Sequence, residues 1–423
     1  MSRVDGFGLA VRLVVVAALT CGVTRAASAQ SVSTQPAEPD PLDSAMVRLG
    51  SFGFTPTVFV TSGYDSNVTR ESPALADWET VVSPQVAAWQ SVGSFRFNGV
   101  AAVEFTMYPR VEPTVTFNRD FNIGANYAGA HVVPEVRYSF FNHYARPTGF
   151  EVNGRSRRVQ DDLTAGIRWN LGGRTSVLAR AYLMRINWDA EAEYQGSELR
   201  ESLNRTTSVG TAGVMFALSP LTDLTVDAEV GTDRFPYSPS RNADNAQVST
   251  RFDFRSPALV SGYAYVGYRH FESPDSGLNA FSGVVASVGL SYVRESRTRV
   301  LFAFDRAPFF SYSQTLGYYL LNSVSAAYIQ SLSESWEASI FGGYHFLDYT
   351  AAGSPDAASQ ATWRADGGAG VSRRLGAAAR IGINASYFTV WGGQQFNGWR
   401  AVAYVIYGSH TPQRLERPLP DER

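Results

Sequence analysis

The feature that most constrains this chain is a strict alternation of apolar and polar side chains, repeated in segment after segment. In one, Phe95, Phe97, Ala101, Val103, Phe105 and Met107 share a face, and Arg96, Asn98, Glu104 and Thr106 share the other. Strand side chains point to opposite faces with period two, so the segment is an amphipathic strand; a helix would scatter these residues round its circumference. The next segment sets Phe117, Phe121, Ile123, Ala125 and Tyr127 against Asn118, Asp120, Asn122, Gly124 and Asn126, with Arg119 on the apolar side. The pattern recurs around Val226, Phe252, Phe302 and Ile383. Segments around Arg185, Tyr265 and Ser323 do not separate into two clean faces.

Eighteen such segments fit between Phe54 and Gly408, or sixteen if two ambiguous ones merge. That is about 20 residues per strand and connection, the spacing of a transmembrane barrel. Short links near Gly93, Gly129, Gly172, Ser219, Ser256, Glu295, Ser333 and Gly376 alternate with longer polar ones such as 66–77, 145–156, 190–204, 236–245 and 350–360. A soluble sandwich has no reason to alternate in this way, whereas a barrel with tight periplasmic turns and long external loops does. The expected fold is all-β: a transmembrane, antiparallel, up-and-down barrel over 54–408 in the outer membrane of a Gram-negative-type envelope.

Ahead of the barrel, Arg3 and Arg12 lead into an apolar run from Leu13 to Val23, then Ala27, Ser28 and Ala29. This reads as a signal peptide over 1–29, too short in its apolar core to span a bilayer. Its removal would take the sole cysteine, Cys21, with it. Residues 30–53, rich in Pro, Ser, Asp and Thr, read as a periplasmic leader, and 409–423 as a polar tail.

On the lumen side the alternation places Arg96, Glu104, Asp120, Glu135, Arg137, Asp162, Arg168, Asp227, Glu229, Arg251, Asp253, Arg299, Asp305, Glu337, Arg364, Asp366, Arg380 and Arg400. This mixture of signs suits neutral, hydroxyl-rich cargo better than a single kind of ion, and serves equally as a paired structural lining. Phe59, Tyr263 and Tyr265 also face inward on this pattern and fill space or stack on sugar rings. Two aromatic girdles are expected, Trp169, Tyr292 and Trp336 at the periplasmic strand ends and Trp188, Tyr349, Trp363, Trp391 and Trp399 at the external ends.

Catalysis has little support. The five histidines are dispersed, no hydrolase, metalloprotease or nucleotide motif occurs, and no cofactor or metal is expected. A lipid-acting enzyme would need a histidine, His143 or His345, within hydrogen-bond reach of a serine. With 36 basic residues, all arginine, against 38 acidic ones, no nucleic-acid footprint exists. Arg155, Arg157 and Arg158 lie at an external loop edge, where anionic lipopolysaccharide would be met. The glycines at 367, 368 and 370 read as bending or close approach within a strand.

The first strand and its exit, Val58 to Val68 with Tyr64, Asp65 and Asn67, resemble the opening of the putative β-barrel porin 2 family. Ser66 stands where such proteins often carry a second acidic residue, and a polar tail follows Tyr407 where many barrels end on an aromatic. The resemblance implies an outer-membrane channel assisting exopolysaccharide export, with outer-membrane lipid, the barrel-insertion machinery and periplasmic export components as partners. The alternatives left open are a general diffusion porin for small polar solutes and a plugged barrel serving as an adhesion or structural protein.

Overall fold

The computed structural model describes residues 45–144, 151–152, 156–255, 259–274, 280–349, 361–376, 378–393 and 395–408, excepting the side chains of 112–114. All belong to one compact unit, 39–423. The expected signal peptide, most of the leader and the tail lie outside the described residues.

Eighteen long strands follow one another: β1 (Phe52–Asp65), β2 (Asp77–Val92), β3 (Phe95–Tyr108), β4 (Glu112–Tyr127), β5 (Val132–Tyr144) and β6 (Arg157–Gly172). They continue with β7 (Thr175–Trp188), β8 (Arg205–Ser219), β9 (Thr222–Arg234), β10 (Ala243–Phe254), β11 (Val260–Glu272) and β12 (Phe281–Arg294). The last six are β13 (Thr298–Phe310), β14 (Tyr318–Ser331), β15 (Trp336–Asp348), β16 (Thr362–Leu375), β17 (Ala379–Gly392) and β18 (Phe396–Tyr407). Each pairs antiparallel with the next, and β1 pairs with β18 from Val58↔Tyr407 to Asp65↔Arg400, which closes the barrel. Closure leaves no unpaired sheet edge, the condition for a sheet to cross lipid. Among the described residues no helix is long and apolar enough to cross a membrane.

The barrel starts slightly earlier than the alternation suggests. Val47–Leu49, assigned to the leader, forms a short strand that folds back on Phe52–Phe54. At the end expected to be periplasmic, every connection has five residues or fewer, and several of the turns carry the positive φ that tight hairpins use, as at Gly93 (58°) and at Glu295 and Ser296 (52° and 53°). At the other end the connections are longer, except 109–111 and 393–395, so the expected alternation of lengths fails at these two hairpins.

The outward face is apolar. Phe95, Phe97, Phe105, Phe117, Phe121 and Ile123 are all exposed at the surface, and so are Ile167, Val230, Val266, Ile340 and Ile383 on other strands. Side chains of this size exposed in such number belong against lipid, where leaving water costs nothing further.

Candidate functional site: a polar lumen and a capped mouth

Cross-strand register carries one parity round the barrel, and all eighteen charged residues expected in the lumen sit on the inward parity. Arg96 stands opposite Asn126 and Asn126 opposite Glu135; Asp227 faces Ser249, Asp305 faces Ser323, and Arg364 faces His345. The same parity adds Asp65, Asp77, Glu79, Arg180, Asp223 and Asp233, which continuing the alternation to the strand ends would have found.

Many of these charges are held by neighbours on the wall. Arg251 bonds Asp253 at 2.8 Å and Arg380 bonds Glu337 at 2.7 Å, while Arg255 pairs with Asp223, His143 with Asp120, and Ser249 with Asp227. Arg180 lies 3.8 Å from Glu135 and Arg364 3.7 Å from Asp366. Asn118 donates to Glu104 at 3.0 Å and Ser287 to Asp305 at 2.6 Å. Pairing of this kind gives a wetted lining of both signs rather than a ring of one charge.

The girdles are partly rearranged. Trp169 and Trp336 are exposed on the lipid face at the periplasmic ends, with Tyr292 on the same parity, and Trp399 is exposed at the external end, where Trp363 stacks on Phe346 and Trp391 packs near Tyr344. Trp188 and Tyr349 are corrections: both are buried, Trp188 on the inward face of β7 and Tyr349 in the loop after β15. An aromatic at a strand end serves a girdle or a core according to its parity, and Trp188 shares that of Met184 and Ile186.

The Tyr-Asp-Ser-Asn stretch stitches the barrel seam at its external rim. Asp65 accepts two bonds from Arg70, at 3.1 and 2.8 Å, and one from the Asn67 backbone at 2.9 Å. Asn67 donates to the Glu71 and Asn397 carbonyls, and Ser66 exchanges bonds with the backbone of Trp399. Arg70 stacks over Phe388, 3.9 Å from the ring centroid, and Arg400 reaches Glu79. The motif thus ties the first and last strands together.

Sequence reasoning missed what lies at the external mouth. The connection between β7 and β8 turns inward, and its short helix Leu199–Leu203 packs with Ala192 and Tyr194 on Met184, Ile186 and Trp188 of the inner wall. Phe310 and Tyr312 join that core from the β13–β14 hairpin, six strands away. Phe235 meets Phe310 edge-on at 4.9 Å, Tyr194 meets Tyr312 likewise at 4.9 Å, and Phe271, Phe281 and Tyr318 form an adjoining cluster. On the other side of the hairpin, Leu316, Tyr319, Leu321, Leu347 and Tyr349 form another. Fully burying each large side chain is worth about 1.5–3 kcal/mol, so the hairpin is anchored inside the mouth from both sides.

Two charged residues fasten this core from distant loops. Arg241, between β9 and β10, donates to the Ser311 and Gly317 carbonyls at 2.5 and 2.9 Å. Glu151, between β5 and β6, accepts from Ser311 Oγ at 2.5 Å, the Tyr312 backbone at 2.9 Å and Tyr349 OH at 2.8 Å. Burial pushes the Glu151 carboxyl up to about 7 against the opposing pull of these donors and Arg241, and brings Arg241 down to about 10. Tyr312 completes the link by donating to Gln195 at 2.5 Å.

Ser323 Oγ lies 2.7 Å from His345 Nδ1, and His345 Nε2 lies 3.2 Å from Asp366. The serine–histidine contact required of a lipid-acting enzyme is therefore present, but it faces the lumen below Leu321 and Leu347, away from lipid. Among the described residues no cluster of His, Cys, Asp and Glu could hold a metal ion. The inward glycines are sites of close approach: a Cβ on Gly368 would meet the Phe341 ring at 2.6 Å, and one on Gly370 would overlap Asn384. Tyr263 and Tyr265 face inward and Arg251 stacks on Tyr263, while Phe59 packs beside Tyr404.

A closed barrel, apolar outside and polar within, is a porin-like channel of the outer membrane. The chain belongs to the putative beta-barrel porin 2 family, whose model matches residues 40–383. Among solved structures it is similar to Pseudomonas aeruginosa OprD (9% identity, 84% of this chain and 94% of that one, TM-score 0.44). It is also similar to Pseudomonas aeruginosa opdK (7%, 84% and 98%, 0.45) and Acinetobacter baumannii OccAB2 (8%, 84% and 98%, 0.46). At such identities and TM-scores, what those proteins carry says nothing of what this one carries. A comparison with curated proteins finds no match.

Proposed function

We propose that this barrel conducts small polar solutes, and that the loop core at its external mouth limits their size. The observation supporting this is the β13–β14 hairpin, held across the mouth by Glu151, Tyr194, Gln195 and Arg241 from three other loops. Below it, paired charges and hydroxyls offer hydrogen bonds to neutral, hydroxyl-bearing solutes without a strong preference of sign. Exopolysaccharide export, which the family resemblance implied, is less well supported: a polymer needs a continuous wide path, and a cross-linked apolar core stands in it.

The purified protein in planar bilayers and in swelling liposomes separates the readings. We expect low single-channel conductance and sugar uptake that falls steeply from mono- to tetrasaccharide. Uptake indifferent to sugar length would favour a polymer path. Absence of both conductance and uptake would favour a plugged structural barrel.

A further inference from the structure

The lipid-facing wall of β4–β7 breaks its own apolar rule. Arg119 shares the outward parity of Phe117 and Phe121, and Arg185 that of Leu183; both arginines are exposed. Arg157 and Asp161 share the outward parity of Leu163. These residues adjoin one another. Arg119 stands opposite Asn142 in register, Arg157 Nε donates to Asn142 Oδ1 at 2.9 Å, and Asp161 stands opposite Arg185 while accepting from Tyr138 OH at 2.6 Å. Of the cluster expected at the loop edge, Arg155 lies outside the described residues, and Arg158 turns inward beside Trp188, leaving Arg157 on this face.

Height along the wall decides what such a group can meet. Arg119 stands eight residues above Tyr127 on β4, and Asp161 eight above Trp169 on β6, both aromatics being exposed near the periplasmic ends. Eight residues on strands tilted by about 40° climb roughly 20 Å, which puts the polar row near the external edge of an apolar band about 25 Å tall. An arginine at the midplane would be heavily penalised; at the edge its head reaches the headgroups. Three arginines against one carboxylate leave an excess of two positive charges, and guanidinium groups match phosphate oxygens in pairs. From β4 to β7 the row spans about 15 Å, three strand spacings and wider than one phosphate.

We propose that Arg119, Arg157 and Arg185 on the outward face of β4–β7 bind the phosphates of a glycolipid in the outer leaflet, one carrying more than one phosphate. The inference rests on the barrel's place in the outer membrane and is independent of what the lumen conducts.

The test uses the full barrel in detergent, with bisphosphorylated lipid A, its dephosphorylated form and inorganic phosphate as probes, read by native mass spectrometry and by the thermal midpoint. Wild type is expected to retain bisphosphorylated lipid A and to be stabilised by it, with the dephosphorylated form bound at least about tenfold more weakly, the scale of one lost charge-assisted contact. The Arg119→Gln/Arg185→Gln variant should lose a similar factor, and Arg119→Lys/Arg185→Lys should recover part of it. Heat-modifiable gel mobility shows that each variant is folded, and unchanged conductance separates this site from the channel reading. Equal binding of the two lipid forms, equal binding by the glutamine variant, or inorganic phosphate bound as tightly as lipid A would overturn the assignment.

Discussion

Two stretches of the inner wall, built from the same kind of strand, have come to differ. On β9 and β10 the inward residues away from the external end are polar: Asp223, Thr225, Asp227 and Glu229 face Asp253, Arg251, Ser249 and Gln247, and the wall is lined for water. On β7 and β14 the inward residues nearest the external end are Met184, Ile186 and Trp188, and Tyr319 and Leu321. These receive other parts of the chain. The lesson is that an inward position takes its character from what faces it across the barrel, water in one stretch and a folded loop in the other.

The largest effect is expected from removing the hairpin from the mouth. Replacing residues 311–317 by a short Asn-Gly hairpin should raise single-channel conductance severalfold, because Phe310 and Tyr312 would leave the β7 wall and both stretches would face water. A smaller effect is expected of Arg241→Met, which strands two carbonyls and removes the charge facing Glu151. Leaving a buried acceptor without its donor costs roughly 1–3 kcal/mol. It should appear as faster flicker between closed and open levels, and as protease cleavage in the β13–β14 loop, with the barrel itself still folded.

Acidity should act through Glu151. Its carboxyl, raised from 4.5 to about 7 by burial and facing Ser311, Tyr312, Tyr349 and Arg241, docks best when neutral. The docked state holds the proton more tightly, so the stabilisation is complete below about pH 4.5 and lost as pH rises through 7. Conductance should therefore increase over that window, and Glu151→Gln should flatten the dependence. A flat wild-type profile would remove the carboxyl from the account. The smallest effect belongs to the polar stretch: Asp227→Asn keeps the Ser249 contact and takes away one acid, so the cation-to-anion ratio should fall slightly at unchanged conductance.

Most of the barrel was legible in the sequence because lipid on one side and water on the other impose period two. The three segments that resisted a two-face reading, around Arg185, Tyr265 and Ser323, lie on β7, β11 and β14. Their inward residues Met184, Ile186, Phe271, Tyr319 and Leu321 pack on the capping loops, and β7 carries Arg185 toward lipid besides, so each loses a contrasting face. The ambiguity was itself the trace of the cap. Its fastening could not be read in advance: Glu151 and Ser311 are 160 residues apart, and no local pattern joins a lone carboxylate to a hairpin on the far side of the lumen. Trp188 and Tyr349 misled for a related reason, since position at a strand end does not say which way a ring points.

The crossing of the mouth by the β13–β14 hairpin to the β7–β8 loop can be tested without reference to transport. The only native cysteine is Cys21, in the expected signal peptide, so spin labels at Glu193→Cys and Gln314→Cys, both exposed beside the Tyr194–Tyr312 contact, would report on that contact alone. Pulsed electron–electron resonance on the reconstituted barrel should give one short, narrow distance distribution. A long or broad distribution would mean that the hairpin stands away from the β7 wall and leaves the mouth open.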